Sequence, residues 1–169
     1  MGKSIGAGSV ALPLGGAQAV HAAFGKRAIE ARAQGVAASR RERGELARIA
    51  RSRGALMHTD AAQSAGKIAV DVSALGVDLL SIAGHKFYAP KGVGALYIRS
   101  GTPIASVIVG ADHERGVRPG TENVPSIVGL GEAAKIARGR LSASTVHLRQ
   151  MRDRLHHRLA EAIPGLILN

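Results

Sequence analysis

The 169-residue sequence contains no cysteine and no tryptophan, and aromatic residues make up 2% of it. Without cysteine no disulfide can form. With two Tyr and two Phe, any core must be assembled from Ala, Val, Ile and Leu. No apolar run is long enough to cross a bilayer. The stretch Met1 to Ala11 lacks the charged start and continuous apolar centre of a secretory signal. Carboxylates are scarce as well, with 12 Asp and Glu against 23 Lys and Arg, a net charge of +11. So basic a chain raises the question of a nucleic-acid surface. No aromatic residues interleave the basic runs, however, and no zinc-finger or helix-turn-helix pattern is visible, so solvated helix faces are the better reading. Histidines at ligand spacing are wanting too. His156 and His157 are adjacent and cannot share one helix face, and His147 and His21 have no partner at ligand spacing. No metal site is expected.

What is present is a folding composition: 46% apolar residues in a length that suits one domain. The sequence is organised around Ser81 to Arg99. The apolar run Asp78 to Ala83 reads as a buried strand, and Gly84 breaks it and exposes His85 and Lys86 at its end. A lysine at the end of a buried strand can stay near low-dielectric surroundings. Desolvation there favours the neutral amine, the form a Schiff-base lysine needs. Pro90 to Gly94 reads as a turn and Gly94 to Arg99 as the next strand. Upstream, the apolar run Ala55-Leu56-Met57 ends in His58-Thr59-Asp60-Ala61-Ala62-Gln63-Ser64. Two such strands would bring Asp60, Gln63, His85 and Lys86 to one carboxyl edge of an α/β sheet, where ligands sit in open sheets. A lysine, a carboxylate and an amide there match the needs of pyridoxal phosphate (PLP): an amine for the aldehyde, and an aspartate to keep the pyridinium nitrogen protonated.

These residues carry a family resemblance. His58 to Gln63, Ser81 to Gly92, and His113-Glu114-Arg115-Gly116-Val117-Arg118-Pro119-Gly120-Thr121-Glu122-Asn123 resemble, in order and at the expected spacing, the motifs of cysteine desulfurases and selenocysteine lyases. These are class-V, fold-type I PLP enzymes. The match runs from about Glu45 to about Gly165, and the wording Phe87-Tyr88 and Arg118 to Asn123 is somewhat nearer the selenocysteine-lyase branch.

The resemblance implies an α/β fold: part of the large domain of a fold-type I PLP-dependent transferase, with a mixed, mostly parallel sheet flanked by helices. Residues 1–44 read as a divergent segment, 45–140 as the partial PLP-binding domain, and 141–169 as a long helix leading toward a C-terminal domain. In chain order, Gly2 to Gly8 lacks the ending of a phosphate loop. Ala17 to Ala33 has the composition of a helix. A helix over Glu45 to Arg53 is expected, with Leu46, Ile49 and Ala50 on its apolar face and Gly54 as its stop. Ala61 to Gly66 reads as a turn, Val72 to Leu75 as a helical turn, Ser106 to Val109 as a short strand, and Gly110 to Thr121 as a loop. Helices are expected over Glu122 to Ile136 and Leu141 to Ile163, the second with Leu148, Met151, Leu155 and Leu159 recurring at helical spacing.

By the same resemblance, Lys86 carries the cofactor as a Schiff base. Asp60 pairs with the pyridinium nitrogen, Gln63 bonds the phenolic oxygen, His85 helps hold the phosphate, and Thr121 reaches the phosphate bound by a partner subunit. The plainer alternatives are a turn-capping aspartate, a polar turn residue, a satisfied core histidine and a solvated lysine. Ala83 stands where desulfurases often have a phosphate-binding serine, and Gly110-Ala111-Asp112 departs from the family's run of glycines.

The family removes sulfur or selenium from L-cysteine or L-selenocysteine and leaves L-alanine. It works as a homodimer in the cytoplasm and passes sulfur to an acceptor protein, in routes that include iron-sulfur cluster assembly. Its persulfide-forming cysteine and its substrate-clamping arginine are expected beyond the sequence in hand, and its main phosphate loop before it. The chain is therefore expected to be a central portion that is inactive alone. The competing readings are a non-catalytic remnant and a basic nucleic-acid-binding module.

Overall fold

In a computed structural model the described residues are 9–10, 28–31 and 40–167, with side chains described from Gly44 onward. The expectation for Gly2 to Gly8 and most of that for Ala17 to Ala33 lie outside these residues.

Five strands form one sheet. They are β1 (Ser9–Val10), β2 (Ala28–Ala31), β3 (Leu56–Asp60), β4 (Leu79–Ala83) and β5 (Gly94–Ile98), in the spatial order β1-β5-β4-β3-β2. β2, β3 and β4 pair in parallel, β5 pairs antiparallel to β4, and β1 antiparallel to β5, so β5 alone runs against the other four. The sheet is mixed and mostly parallel in strand direction, as the resemblance implies. Residues 28–31 form a strand rather than part of a helix: Ala28 pairs with Leu56 and Ala31 with Thr59, and this pairing overrides their helical composition.

Three helices accompany the sheet. The first, α1 (Arg40–Ser52), begins earlier than expected and ends at Gly54, whose φ of 64° is left-handed. Its buried face is Ala47 and Ala50, whereas Leu46 and Ile49 are about half exposed. The small side chains let α1 approach α2 (Val72–Leu75) closely; a Cβ at Gly76 would lie 3.6 Å from that of Ala47, and Arg51 Nη2 donates to the Gly76 carbonyl at 2.8 Å. On the outer face, the Arg48 hydrogen bond and charge hold the Glu45 carboxyl below the usual carboxylate range. The Asp71 carboxylate caps α2, accepting from Ser73 N at 2.8 Å and Ala74 N at 3.0 Å.

The third helix, α3 (Val124–Ala162), is continuous over 39 residues where two helices were expected. A glycine in a helix costs only about 1 kcal/mol relative to alanine. Gly139 stands among Ala, Arg and Leu, with no proline or cap to stop the helix. Thr145, nearly two turns beyond, donates to the Lys67 carbonyl at 2.9 Å and so ties the middle of α3 to the turn after β3. The 140/141 boundary falls inside this helix.

Ser106 to Val109 forms no strand. It pairs with none of the five strands.

The core has two clusters. Ala47, Ala50, Met57, Ala61, Leu75, Val77 and Leu80 pack β3 and β4 against α1 and α2. Phe87, Ala89, Val93 and Leu130 pack the segment after β4 against α3, and Ile82 adjoins both clusters. The stripe that buries Leu130 continues along α3 through Leu148, Met151, Leu155 and Leu159, which are exposed. Among the described residues no helix is long and apolar enough to cross a membrane.

Candidate functional site

The site is built by the ends of two parallel strands. Asp60 closes β3 and pairs in register with Ser81 of β4. Beyond them Ala61 N donates to Ser81 O at 2.8 Å, which carries the stitching of the two strands past Asp60. The Asp60 side chain therefore stands beside β4 at the carboxyl edge, two residues short of that strand's end. His58 faces inward, buried, with Nε2 3.2 Å from Ser81 Oγ.

After Ala83 the chain makes a 3-10 turn, Gly84–Phe87. Gly84 has no room for a side chain, since a Cβ would lie 2.7 Å from Val93 O and 3.0 Å from both Ala89 Cβ and Leu130 Cδ1. Phe87 turns inward over Gly66, where an added Cβ would lie 2.8 Å from Phe87 Cβ. This tight turn inserts Phe87 into the core and swings His85 and Lys86 outward, so both are exposed. The expectation that Lys86 lies in low-dielectric surroundings is not met in this chain: the turn buries Phe87 instead. Among the described residues neither the Lys86 amine nor the His85 ring makes a hydrogen bond or ion pair, so both are available to a ligand.

Tyr88 follows with a φ of 69° and is 98% exposed. A bulky side chain in the left-handed region is unusual, and the sequence offered no sign of it. Pro90 then lies under α3, where a Cβ at Gly129 would come within 2.8 Å of its ring. The segment carrying Lys86 is thus clamped on one side by Gly84 and on the other by Gly129.

Asp60 Oδ1 accepts from Ala62 N at 2.8 Å, the turn-capping role of the plainer reading, while its other oxygen has no hydrogen bond among the described residues. Gln63 lies in the turn after β3, and its Oε1 accepts from Lys67 Nζ at 3.2 Å, which leaves its amide NH2 as the free donor. Thr121 stands elsewhere, exposed, just before α3, which Asn123 caps by accepting from Ser126 N at 3.2 Å. No described hydrogen bond links Thr121 to Asp60, Gln63, His85 or Lys86.

The loop before Thr121 turns tightly over His113–Gly116, with Glu114, Arg115 and Gly116 all at positive φ. Ala111 and Asp112, the departures from the family's glycines, are not at positive φ, so their side chains impose no backbone strain. By the resemblance Arg118, like Thr121, is a residue that acts across a two-fold interface; its bonds within its own loop were not foreseen. Arg118 is buried and ion-paired with Glu114 at 3.3 Å.

A carboxylate, an amine, an imidazole and an amide donor on one sheet edge are a donor set that fits PLP. The comparisons agree. Residues 40–168 match the aminotransferase class-V family. A cysteine desulfurase of Sinorhizobium fredii is 47% identical over 124 residues, which is 73% of this chain and 32% of the relative. A cysteine desulfurase IscS of Anaeromyxobacter dehalogenans is 49% identical over 127 residues, 74% of this chain and 31% of the relative. Among solved structures, a NifS-like protein superposes with a TM-score of 0.67 at 42% identity, covering 70% of this chain and 33% of that one. The X-ray structure of a NifS-like protein from Rickettsia africae gives 0.69 at 32% identity, covering 73% and 34%. The chain thus spans about a third of the length of the relatives it matches. With the family matched from Arg40 to Leu168, across both strand ends that carry Asp60 and Lys86, the chain belongs to the PLP-dependent aminotransferase class-V family.

Proposed function

We propose that the chain is the central cofactor-domain portion of a cysteine desulfurase-like enzyme. The whole enzyme takes sulfur or selenium from L-cysteine or L-selenocysteine, leaves L-alanine, and works in the cytoplasm as a homodimer. The observation that carries this reading is the parallel register of β3 and β4, which brings Asp60, His85 and Lys86 to one carboxyl edge; the identity to desulfurases supports the substrate class.

PLP, when bound, supplies an electron sink for charge developing at the substrate Cα. The chain's own residues supply the rest. Lys86 Nζ, projecting from the turn after β4, anchors the cofactor aldehyde covalently. The open Asp60 oxygen keeps the proton on the ring nitrogen, and its other oxygen, tied to Ala62 N, fixes the carboxylate's orientation. Gln63, with Oε1 engaged by Lys67, turns its NH2 to the phenolic oxygen. His85 holds the phosphate, joined by Thr121 from the second subunit of the dimer. The 169 residues include no cysteine. The thiolate that accepts the sulfur is therefore external to this sequence, and an acceptor protein receives it.

The test is covalent mapping. Added PLP followed by borohydride fixes the adduct, and mass spectrometry locates it. The expected site is Lys86, with the adduct lost in Lys86→Ala. An adduct spread over Lys67, Lys91 and Lys135 would overturn the proposal.

A further inference from the structure

We infer that Arg118 is a positioning residue: its guanidinium, held by Glu114, fixes the Pro119–Gly120 backbone and so sets where the Thr121 hydroxyl is presented. The inference deepens the reading of Thr121 as a phosphate ligand and rests on it for its functional meaning.

Arg118 is only 9% exposed, yet it lies in a surface loop. Its Nη1 donates to Gly120 O at 2.6 Å and more weakly to Pro119 O at 3.4 Å, and its Nη2 meets Glu114 Oε1 at 3.3 Å. The shortest of these bonds holds the carbonyl of Gly120, whose φ of 104° lies where only glycine is comfortable. Gly120 is therefore the joint through which Thr121 would otherwise move. Its neighbour Pro119 has φ fixed by its ring and packs on Gly110, where an added Cβ would lie 2.8 Å from Pro119 Cβ. With one neighbour stiffened by its ring and the other clamped by a guanidinium, Thr121 leaves the loop in one direction.

The backbone of Glu114 adds to the argument. Glu114 and Arg115 both sit in the left-handed region, at φ 48° and 61°. Non-glycine residues stay there only when their surroundings over-determine it, and such strain gathers at functional loops. Here the conformation brings the Glu114 carboxylate onto Arg118 in a pair whose side chains are 14% and 11% exposed. Neither core cluster contains a residue of this loop, so the clamp is not there to pack the core. It acts on Thr121, which is exposed and whose hydroxyl makes no hydrogen bond among the described residues. Lysine could not replace Arg118, because a point-charge ammonium lacks the planar fork that reaches two carbonyls and a carboxylate together.

The test uses the full chain and its Arg118→Ala, Arg118→Lys, Thr121→Ala and Arg118→Ala/Thr121→Ala variants. Backbone amide order parameters from nuclear magnetic relaxation are read at Gly120 and Thr121, with the Met57 and Leu79 amides as core controls. Affinity is read by absorbance titration with PLP and with pyridoxal, which lacks the phosphate. Both Arg118 variants should lower the order parameters at Gly120 and Thr121 from the rigid range of about 0.85 toward the flexible range below about 0.6, with the core controls unchanged. PLP affinity should fall about tenfold in Arg118→Ala and in Thr121→Ala, the scale of one hydrogen bond to a charged group, with no further loss in the double variant, and pyridoxal affinity should hold. Unchanged order parameters at Gly120 and Thr121 overturn the inference whether or not PLP binds. Equal losses for PLP and pyridoxal overturn it too, by assigning Arg118 a general structural role. Lowered order parameters together with an unaltered PLP affinity in Thr121→Ala uphold the clamp and overturn only the phosphate role of Thr121. Should Arg118→Ala also loosen the core controls, Arg118→Lys, which keeps the charge and the stem, decides the outcome by the same criteria.

Discussion

Asp78 and Arg99 meet at the amino end of β4, with Arg99 Nε 3.1 Å from Asp78 Oδ1, while the other carboxylate oxygen accepts the Met57 N–H at 2.9 Å. Arg99 also donates to Val77 O through Nη2 at 2.6 Å. One largely buried carboxylate therefore joins the start of β3, the start of β4 and the end of β5. β4 is anchored by a satisfied ion pair at one end and delivers Lys86 to solvent at the other.

Removing that carboxylate leaves the buried Met57 N–H without its acceptor and Arg99 without its ion pair, although Arg99 keeps its bonds to Val77 O. Each unsatisfied buried group costs about 1–3 kcal/mol. Asp78→Ala should therefore lower the melting temperature by several degrees, at about 2–4 °C per kcal/mol for a chain of this size. Asp78→Asn, which keeps an acceptor, should cost less. Circular dichroism melting reads both, and an unchanged melt in Asp78→Ala would contradict the anchoring role.

Gly84→Ala should be costly although the backbone there is not left-handed. The new Cβ meets a carbonyl oxygen at 2.7 Å and two carbons at 3.0 Å, so the turn or α3 must shift. Overpacking of this kind costs about 1–3 kcal/mol. The Lys86 turn should move with it, so the yield of borohydride-fixed PLP adduct on Lys86 should drop more than stability alone explains, as measured at a temperature where the variant is folded.

Leu130→Ala empties the centre of the cluster formed with Phe87, Ala89 and Val93. Truncation of a buried leucine costs about 2–5 kcal/mol. Denaturant unfolding should show that loss in the midpoint. Ile136→Ala, at a position about half exposed on the same helix, should stay within about 0.5 kcal/mol of the parent.

The outer part of α3 should govern association. Leu148, Met151, Leu155 and Leu159 form one exposed apolar stripe, and such patches drive self-association. Leu155→Lys should reduce the oligomers seen by light scattering while leaving the melting temperature nearly unchanged. Oligomers of equal size in parent and variant would show that another surface is responsible.

Turnover should be absent. Desulfuration needs a thiolate to take the sulfur, and the chain has no thiol. Sulfide and alanine formed from L-cysteine should match a PLP-only control in both the parent and Lys86→Ala. Activity in the parent that vanishes in Lys86→Ala would show the chain to be a self-sufficient enzyme.

Local patterns were legible because their causes are local. Gly84 and Gly54 stop a strand and a helix, the run before Lys86 alternates too little to be anything but a buried strand, and the turn at Pro90 to Gly94 follows from its own residue types. The ordered motifs around Asp60, Lys86 and Thr121 were enough to indicate the family, since each keeps its residues in a short contiguous stretch. Helix faces were less legible: Leu46 and Ile49 looked like the core side of α1, but the close approach of α2 selects Ala47 and Ala50.

What joins distant parts of the chain was decided only in three dimensions. The strand formed by Ala28–Ala31 exists through its pairing with β3, whereas Ser106 to Val109 finds no partner strand. α3 stays whole at Gly139 because packing at Leu130 and the Thr145 bond to Lys67 hold it on both sides. The Glu114–Arg118 clamp depends on left-handed backbone at residues whose types give no hint of it. The sequence by itself indicated the family and the places of β3, β4, β5 and the turns between them. Tertiary structure decided which strand ends meet, which apolar faces are covered and which side chains hold the loops, because those outcomes depend on contacts between segments far apart in the chain.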